Sequence, residues 1–109
     1  MMNVRLYLLQ RATAAIMVPL VVAHILVIFY ATRRGLSAAE ILGRTRGSVG
    51  WGAFYALFVL AAATHGAIGV RGVASEWTGL RGHRLDILMW GVGLLLATLG
   101  LRAVIAVVL

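Results

Sequence analysis

The chain has 109 residues, 62% of them hydrophobic and 12% charged, and its net charge of +7 is carried by arginine alone on the basic side. A soluble domain of this size leaves much of its surface wet, so a mean hydropathy of +1.00 excludes a water-soluble globular fold. The absence of cysteine excludes disulfides, thiolate chemistry and iron–sulfur ligation by this chain. The arginines sit at segment ends and form no single stripe, which argues against nucleic acid and for lipid headgroups or the carboxylates of a ligand.

Three apolar runs, Leu6 to Tyr30, Trp51 to Val73 and Leu85 to Leu109, are each about 20–25 residues, enough to span a hydrocarbon core of roughly 30 Å. They predict an all-α membrane protein with three transmembrane helices, at residues 5–31, 50–73 and 85–108, in a single membrane domain. The first run is too long for the core of a signal peptide and carries Arg11 and His24, so it is expected to be retained.

Helix one starts near Val4. Arg11 either snorkels to the headgroups or lines a polar pocket at the membrane edge with Thr13, whose hydroxyl has the alternative of bonding a carbonyl one turn back. Pro19 removes one backbone donor at mid-span, a loss that transmembrane helices tolerate when neighbours satisfy the freed carbonyl, and predicts a mild kink. His24 lies eleven residues after Thr13, close to three full turns, so the two share a face. An ionisable side chain at this depth needs a partner. Either a ligand binds His24, or it donates a hydrogen bond to a carbonyl near Pro19 or to a neighbouring helix.

In the first connection, Ser37-Ala-Ala-Glu40 has capping-box spacing and predicts a short interfacial helix over 38–42, stopped by Gly43. Arg33, Arg34, Arg44 and Arg46 flank it as headgroup contacts. Helix two opens on the interfacial anchors Trp51 and Tyr55 and carries the stretch Thr64 to Trp77. His65 has Ala61 one turn behind and Gly69 one turn ahead. That bare face is what a flat macrocycle needs beside an axial imidazole, so His65 is a candidate haem ligand. Small residues also let helices approach closely, so Gly66, Gly69 and Gly72 serve either purpose. Glu76 lies eleven residues past His65, on the same face at the membrane edge. His83, in the second connection, reads as solvated. Helix three has no histidine; its Gly93, Ala97 and Gly100 form a packing stripe, and Arg102 snorkels outward.

Antiparallel tracing puts His24 and His65 at depths differing by about 13 Å, too far apart to ligate one iron. Each bis-histidine haem then takes its second ligand from another chain, and three helices alone enclose a porphyrin poorly. Arg5, Arg11, Arg71, Arg81 and Arg84 lie on one side and Arg33, Arg34, Arg44, Arg46 and Arg102 on the other, so the positive-inside rule is silent on orientation.

These residues resemble the cytochrome b membrane-anchor subunits of succinate dehydrogenase and fumarate reductase, respiratory complex II, over nearly the whole chain. The similarity is greatest to the smaller, three-helix anchor of the two-anchor enzymes. Arg11-Ala12-Thr13-Ala14 resembles the start of its helix one. His65, Gly69 and Glu76-Trp77 resemble its haem histidine followed by an Asp-Tyr pair, with Glu for Asp and Trp for Tyr. The family's tyrosine hydroxyl helps hold the quinone, and an indole N–H can still donate one hydrogen bond. A second resemblance, to helix one of the two-haem anchors, runs through Leu8-Leu9-Gln10, Thr13 and His24, with His65 and Arg71 fitting their helix two. The resemblance implies haem b on His65, a second haem on His24, and a quinone site drawing on Arg11, Thr13, Glu76 and Trp77. It implies a second anchor subunit, an iron–sulfur subunit and a flavoprotein as partners, in a bacterial inner membrane with the N-terminus cytoplasmic. The alternative is a haem-free structural anchor in which His65 is a hydrogen-bonded packing residue. An oligomeric transporter would need polar residues through all three helices, and helix three lacks them.

Overall fold

A computed structural model describes residues 3–109. It contains α1 (Val4–Arg34), α2 (Ala38–Thr45), α3 (Val49–Trp77) and α4 (His83–Val108). The three long helices are each long and apolar enough to cross a membrane, and the molecule is 48 Å along its longest axis. At 29 residues, α3 extends about 43 Å. It therefore outreaches a hydrocarbon core of roughly 30 Å at its ends. The chain forms an integral membrane bundle.

The starts of α1, α2 and α3 have a local cause in a side-chain cap. The Asn3 side chain accepts from the Leu6 backbone N–H at 2.9 Å, and the Ser48 hydroxyl accepts from the Trp51 N–H at 3.2 Å, satisfying donors that a helix N-terminus leaves free. α1 runs unbroken through Pro19 and closes on Gly35, which adopts φ 63°, a left-handed conformation that favours glycine. α2 opens with the predicted capping box: Ser37 N–H donates to the Glu40 carboxylate at 3.2 Å, and the Ser37 hydroxyl accepts from Glu40 N–H at 3.2 Å. The bonds from Ser37 hold the exposed Glu40 carboxyl below its ordinary pKa.

The expected stop at Gly43 does not occur; α2 continues through it to Thr45. Tertiary contact explains the extension. Buried Thr45 donates to the Val107 carbonyl at 2.6 Å, and Gly47 N–H donates to the Val108 carbonyl at 2.7 Å. These bonds pin the far end of α2 to the C-terminal turn of α4, which outweighs the helix-stopping tendency of one glycine. α3 also runs further than expected, so Glu76 and Trp77 are its last turn and not part of a loop.

α3 is the shared element, packing along α4 on one side and α1 on the other. Its α4 face is built for close approach. A Cβ on Gly93 would sit 3.2 Å from the Ala67 Cβ, and one on Gly100 would sit 2.5 Å from a Val59 methyl. The buried side chains are correspondingly small, with Ala61, Ala63, Ala67 and Ala74 on α3 beside Ile68 and, from α4, Leu85. Small residues substitute for the hydrophobic effect as the basis of helix association in lipid.

Candidate functional site

The α1–α3 interface brings two polar side chains together at membrane depth. Thr13, 6% exposed, places its Oγ1 3.3 Å from Nδ1 of His65. The same hydroxyl lies 2.9 Å from the Leu9 carbonyl and 3.0 Å from the Gln10 carbonyl, the back-bond to the preceding turn open to a threonine in a helix. His65 is sixteen residues from the start of α3 and twelve from its end, so it lies near mid-membrane.

His65 also lines an open groove of about 570 Å³ with Gln10, Gly66, Gly69, Val70, Val73, Ala74, Trp77 and Thr78. That volume is within the ~300–1,000 Å³ range of ligand sites. Its walls are apolar apart from Gln10, His65, the Trp77 indole and the Thr78 end. Gly69 has a specific neighbour: a Cβ there would be 3.5 Å from Gln10 Nε2, so the bare backbone gives the Gln10 amide its place beside His65. Gly66 faces α4, where a Cβ would meet Leu96 at 3.1 Å. The two glycines therefore face opposite neighbours, and Gly66 belongs to helix packing.

Gln10 joins the site although an amide is no marker of a haem or quinone ligand by residue type. Its Oε1 is buried without a hydrogen-bond partner among the described residues. The signal for it is its spacing: it is three residues before Thr13, hence on the same helix face, and it is an amide inside an apolar run.

The other candidates are dispersed. Arg11 and Thr13 are two residues apart, about 200° around a helix. Arg11 is exposed and lies against Tyr7, 3.5 Å from its hydroxyl and 5.8 Å from the ring centroid. Within this chain the two do not share a pocket. Glu76 is exposed. Trp77 is 82% exposed yet borders the groove beside Val73 and Ala74, in keeping with the lean of helical side chains toward the N-terminus. Arg71 faces α4, where its guanidinium meets the Asp86 carboxylate at 3.1 Å.

His24 lies at another level. Its ring packs edge-on against Phe58 at 5.1 Å and Tyr55 at 6.0 Å between centroids. It borders a cavity of about 360 Å³ whose other walls include Thr45, Val59 and Gly100. Its Nδ1 is buried with no partner among the described residues, so that nitrogen makes no bond to a carbonyl near Pro19. Thr13 faces His65, and Phe58 and Tyr55 face His24, so the two imidazoles are separated by about 10–16 Å along the helices. No group of three or more metal-ligating side chains forms among the described residues. Any iron here would be held by single imidazoles in a prosthetic group.

The residues present fit such a group. His65 meets Thr13 through one nitrogen and lines an apolar groove, so its second nitrogen would be the one to hold haem iron. His24 offers an unpaired nitrogen at an apolar cavity wall.

A family model described as succinate dehydrogenase/fumarate reductase transmembrane subunit matches residues 2–101. No curated protein and no solved structure matches the chain. With the match running through α1 and α3 and most of α4, the chain belongs to the transmembrane-subunit family of succinate dehydrogenase and fumarate reductase.

Proposed function

We propose that this chain is the cytochrome b anchor of its complex, holding haem b through His65 and contributing to a quinone site at the membrane edge. The observation that carries the reading is His65 itself: a histidine near the middle of α3, its Nδ1 bonded to buried Thr13, that also lines an open groove. When bound, haem supplies a one-electron redox centre within the bilayer. His65 binds and orients it. Gln10 and Trp77, at the same groove, offer polar hydrogens toward its rim or toward the quinone. Arg11 and Glu76 supply charge at the same membrane face. The chain leaves its groove open, so a second anchor subunit would close it and would contribute a further ligand to the group. In the assembled complex a flavoprotein and an iron–sulfur subunit would supply the electron path between succinate or fumarate and quinone. The unpaired Nδ1 of His24 supports a second haem at the other level. A haem-free anchor remains the competing reading, in which Thr13 is the sole purpose of His65.

The test is the reduced-minus-oxidised spectrum and haem content of the assembled complex. His65→Ala is expected to remove one low-spin b haem or leave it high-spin. If that variant keeps the wild-type low-spin haem, or the wild type has none, the reading fails. Two haems in the wild type, with His24→Ala removing one, supports the second site; one haem untouched by His24→Ala makes His24 a packing residue.

A further inference from the structure

Thr13 has one hydroxyl proton, and three groups surround its oxygen. The Leu9 and Gln10 carbonyls, at 2.9 and 3.0 Å, can only accept. Nδ1 of His65, at 3.3 Å, can accept or donate according to tautomer. The two carbonyls are nearer and lie on the hydroxyl's own helix, so they take its proton. A lone pair then faces Nδ1. If Nδ1 were bare, two lone pairs would oppose each other at a buried contact, an arrangement that low dielectric makes unfavourable. Nδ1 must therefore carry the hydrogen and donate it to Thr13, which leaves Nε2 bare.

We propose that Thr13 is a positioning residue for His65. Its back-bonded hydroxyl selects the Nδ1–H tautomer, presents Nε2 as the iron ligand, and fixes the ring's rotation about its bond to the helix. The inference rests on the haem reading above and assigns within it the nitrogen and the orienting group. Accepting the Nδ1 hydrogen also makes the ring a stronger donor to a metal, the known effect of outer-shell acceptors on ligating histidines. A stronger donor favours the oxidised metal. Thr13 thus lowers the reduction potential of the bound group relative to a site without it. Burial of Thr13 at 6% exposure keeps water from replacing it as the acceptor. The back-bond takes the hydroxyl proton from within α1, so the arrangement needs no other chain.

The experiment compares Thr13→Val, Thr13→Ala and Thr13→Ser in the assembled complex, reading haem content, low-spin spectrum and reduction potential. Val preserves the shape and removes the acceptor; Ser preserves the acceptor and removes the methyl. The expected result is a potential raised in Val and Ala, moving the reduced-to-oxidised ratio several-fold toward reduced at a fixed ambient potential, and a potential restored in Ser. A loss of haem affinity of about tenfold accompanies the change in Val and Ala. If Val prevents assembly, the Ala and Ser pair decides. Potentials equal to wild type in every variant that assembles overturn the proposal, as does a shift in Ser equal to that in Ala. These outcomes are distinct from failure of the haem reading, which appears as wild-type complex without haem or as haem untouched by His65→Ala.

Discussion

At the scale of single residues, the decisive quantity is which polar atoms have partners inside lipid, because an unmatched one is costly there. Arg71 is a charge whose partner the structure supplies. Its side chain is 12% exposed while Asp86, the other half of the pair, is 47% exposed. The two halves are therefore not equivalent. Removing Asp86 strands a nearly buried guanidinium, whereas removing the guanidinium leaves a carboxylate that water can reach. Asp86→Ala should lower stability in detergent by about 1–2 kcal/mol, short of the 3–5 kcal/mol of a fully buried pair. Arg71→Met, which keeps the apolar stem, should lower it by less. Thermal unfolding of both variants in the same micelle measures the order, and the reverse order would show that Arg71 acts through another contact. An arginine already committed to this pair is poorly placed to reach a cofactor on the α1 side, where His65 lies.

Among the elements, α2 is the one whose existence is local and whose extent is not. Its start follows from Ser37 and Glu40, three residues apart. Its end follows from Thr45, whose hydroxyl reaches the Val107 carbonyl on α4. That carbonyl belongs to a C-terminal turn with no acceptor-filling bond of its own, so the threonine satisfies it while docking the helix. Thr45→Val removes the donor and leaves the part-buried carbonyl without it, a loss of about 1 kcal/mol. Tryptic cleavage after Arg44 and Arg46 should then be several-fold faster. Unchanged cleavage would mean that the Gly47 bond to Val108 holds α2 by itself. In the same region, the near-contact of Gly100 with the Val59 side chain shows why the last helix carries glycine at that depth: a Cβ there would collide with the valine methyls.

For the whole molecule, the separation of the two histidines sets what one chain can do alone. His24 and His65 are about 10–16 Å apart along the helices, while two axial ligands of one iron lie within about 4 Å of each other, given metal–nitrogen distances of about 2 Å. The chain expressed without its partner subunits should insert in the membrane and show no low-spin b spectrum when haemin is added. Co-expression with a second anchor subunit should restore the spectrum. Low-spin haem from the isolated chain would instead place the opposing imidazole on a second copy of it. The open groove beside His65 and the exposed apolar outer face of α1, including Leu8, Val22 and Phe29, are in keeping with a bundle completed by other helices and lipid.

Hydropathy and length by themselves determined three membrane-spanning helices, since each run had to bury its backbone bonds internally in lipid. Spacing alone placed Thr13 and His24 on one face of α1, and put His24 and His65 at different depths once the helices were taken as antiparallel. The family was legible too, from His65 and the order of polar residues around it. Register and rotation between helices were not, because they depend on which small residues let two backbones touch. Only the tertiary structure decided that Thr13 faces His65 and not Arg11, that Gln10 lies over Gly69, and that Arg71 turns toward Asp86. Only it carried α2 past Gly43, since the bond that extends the helix joins residues 45 and 107, far beyond the reach of any local signal.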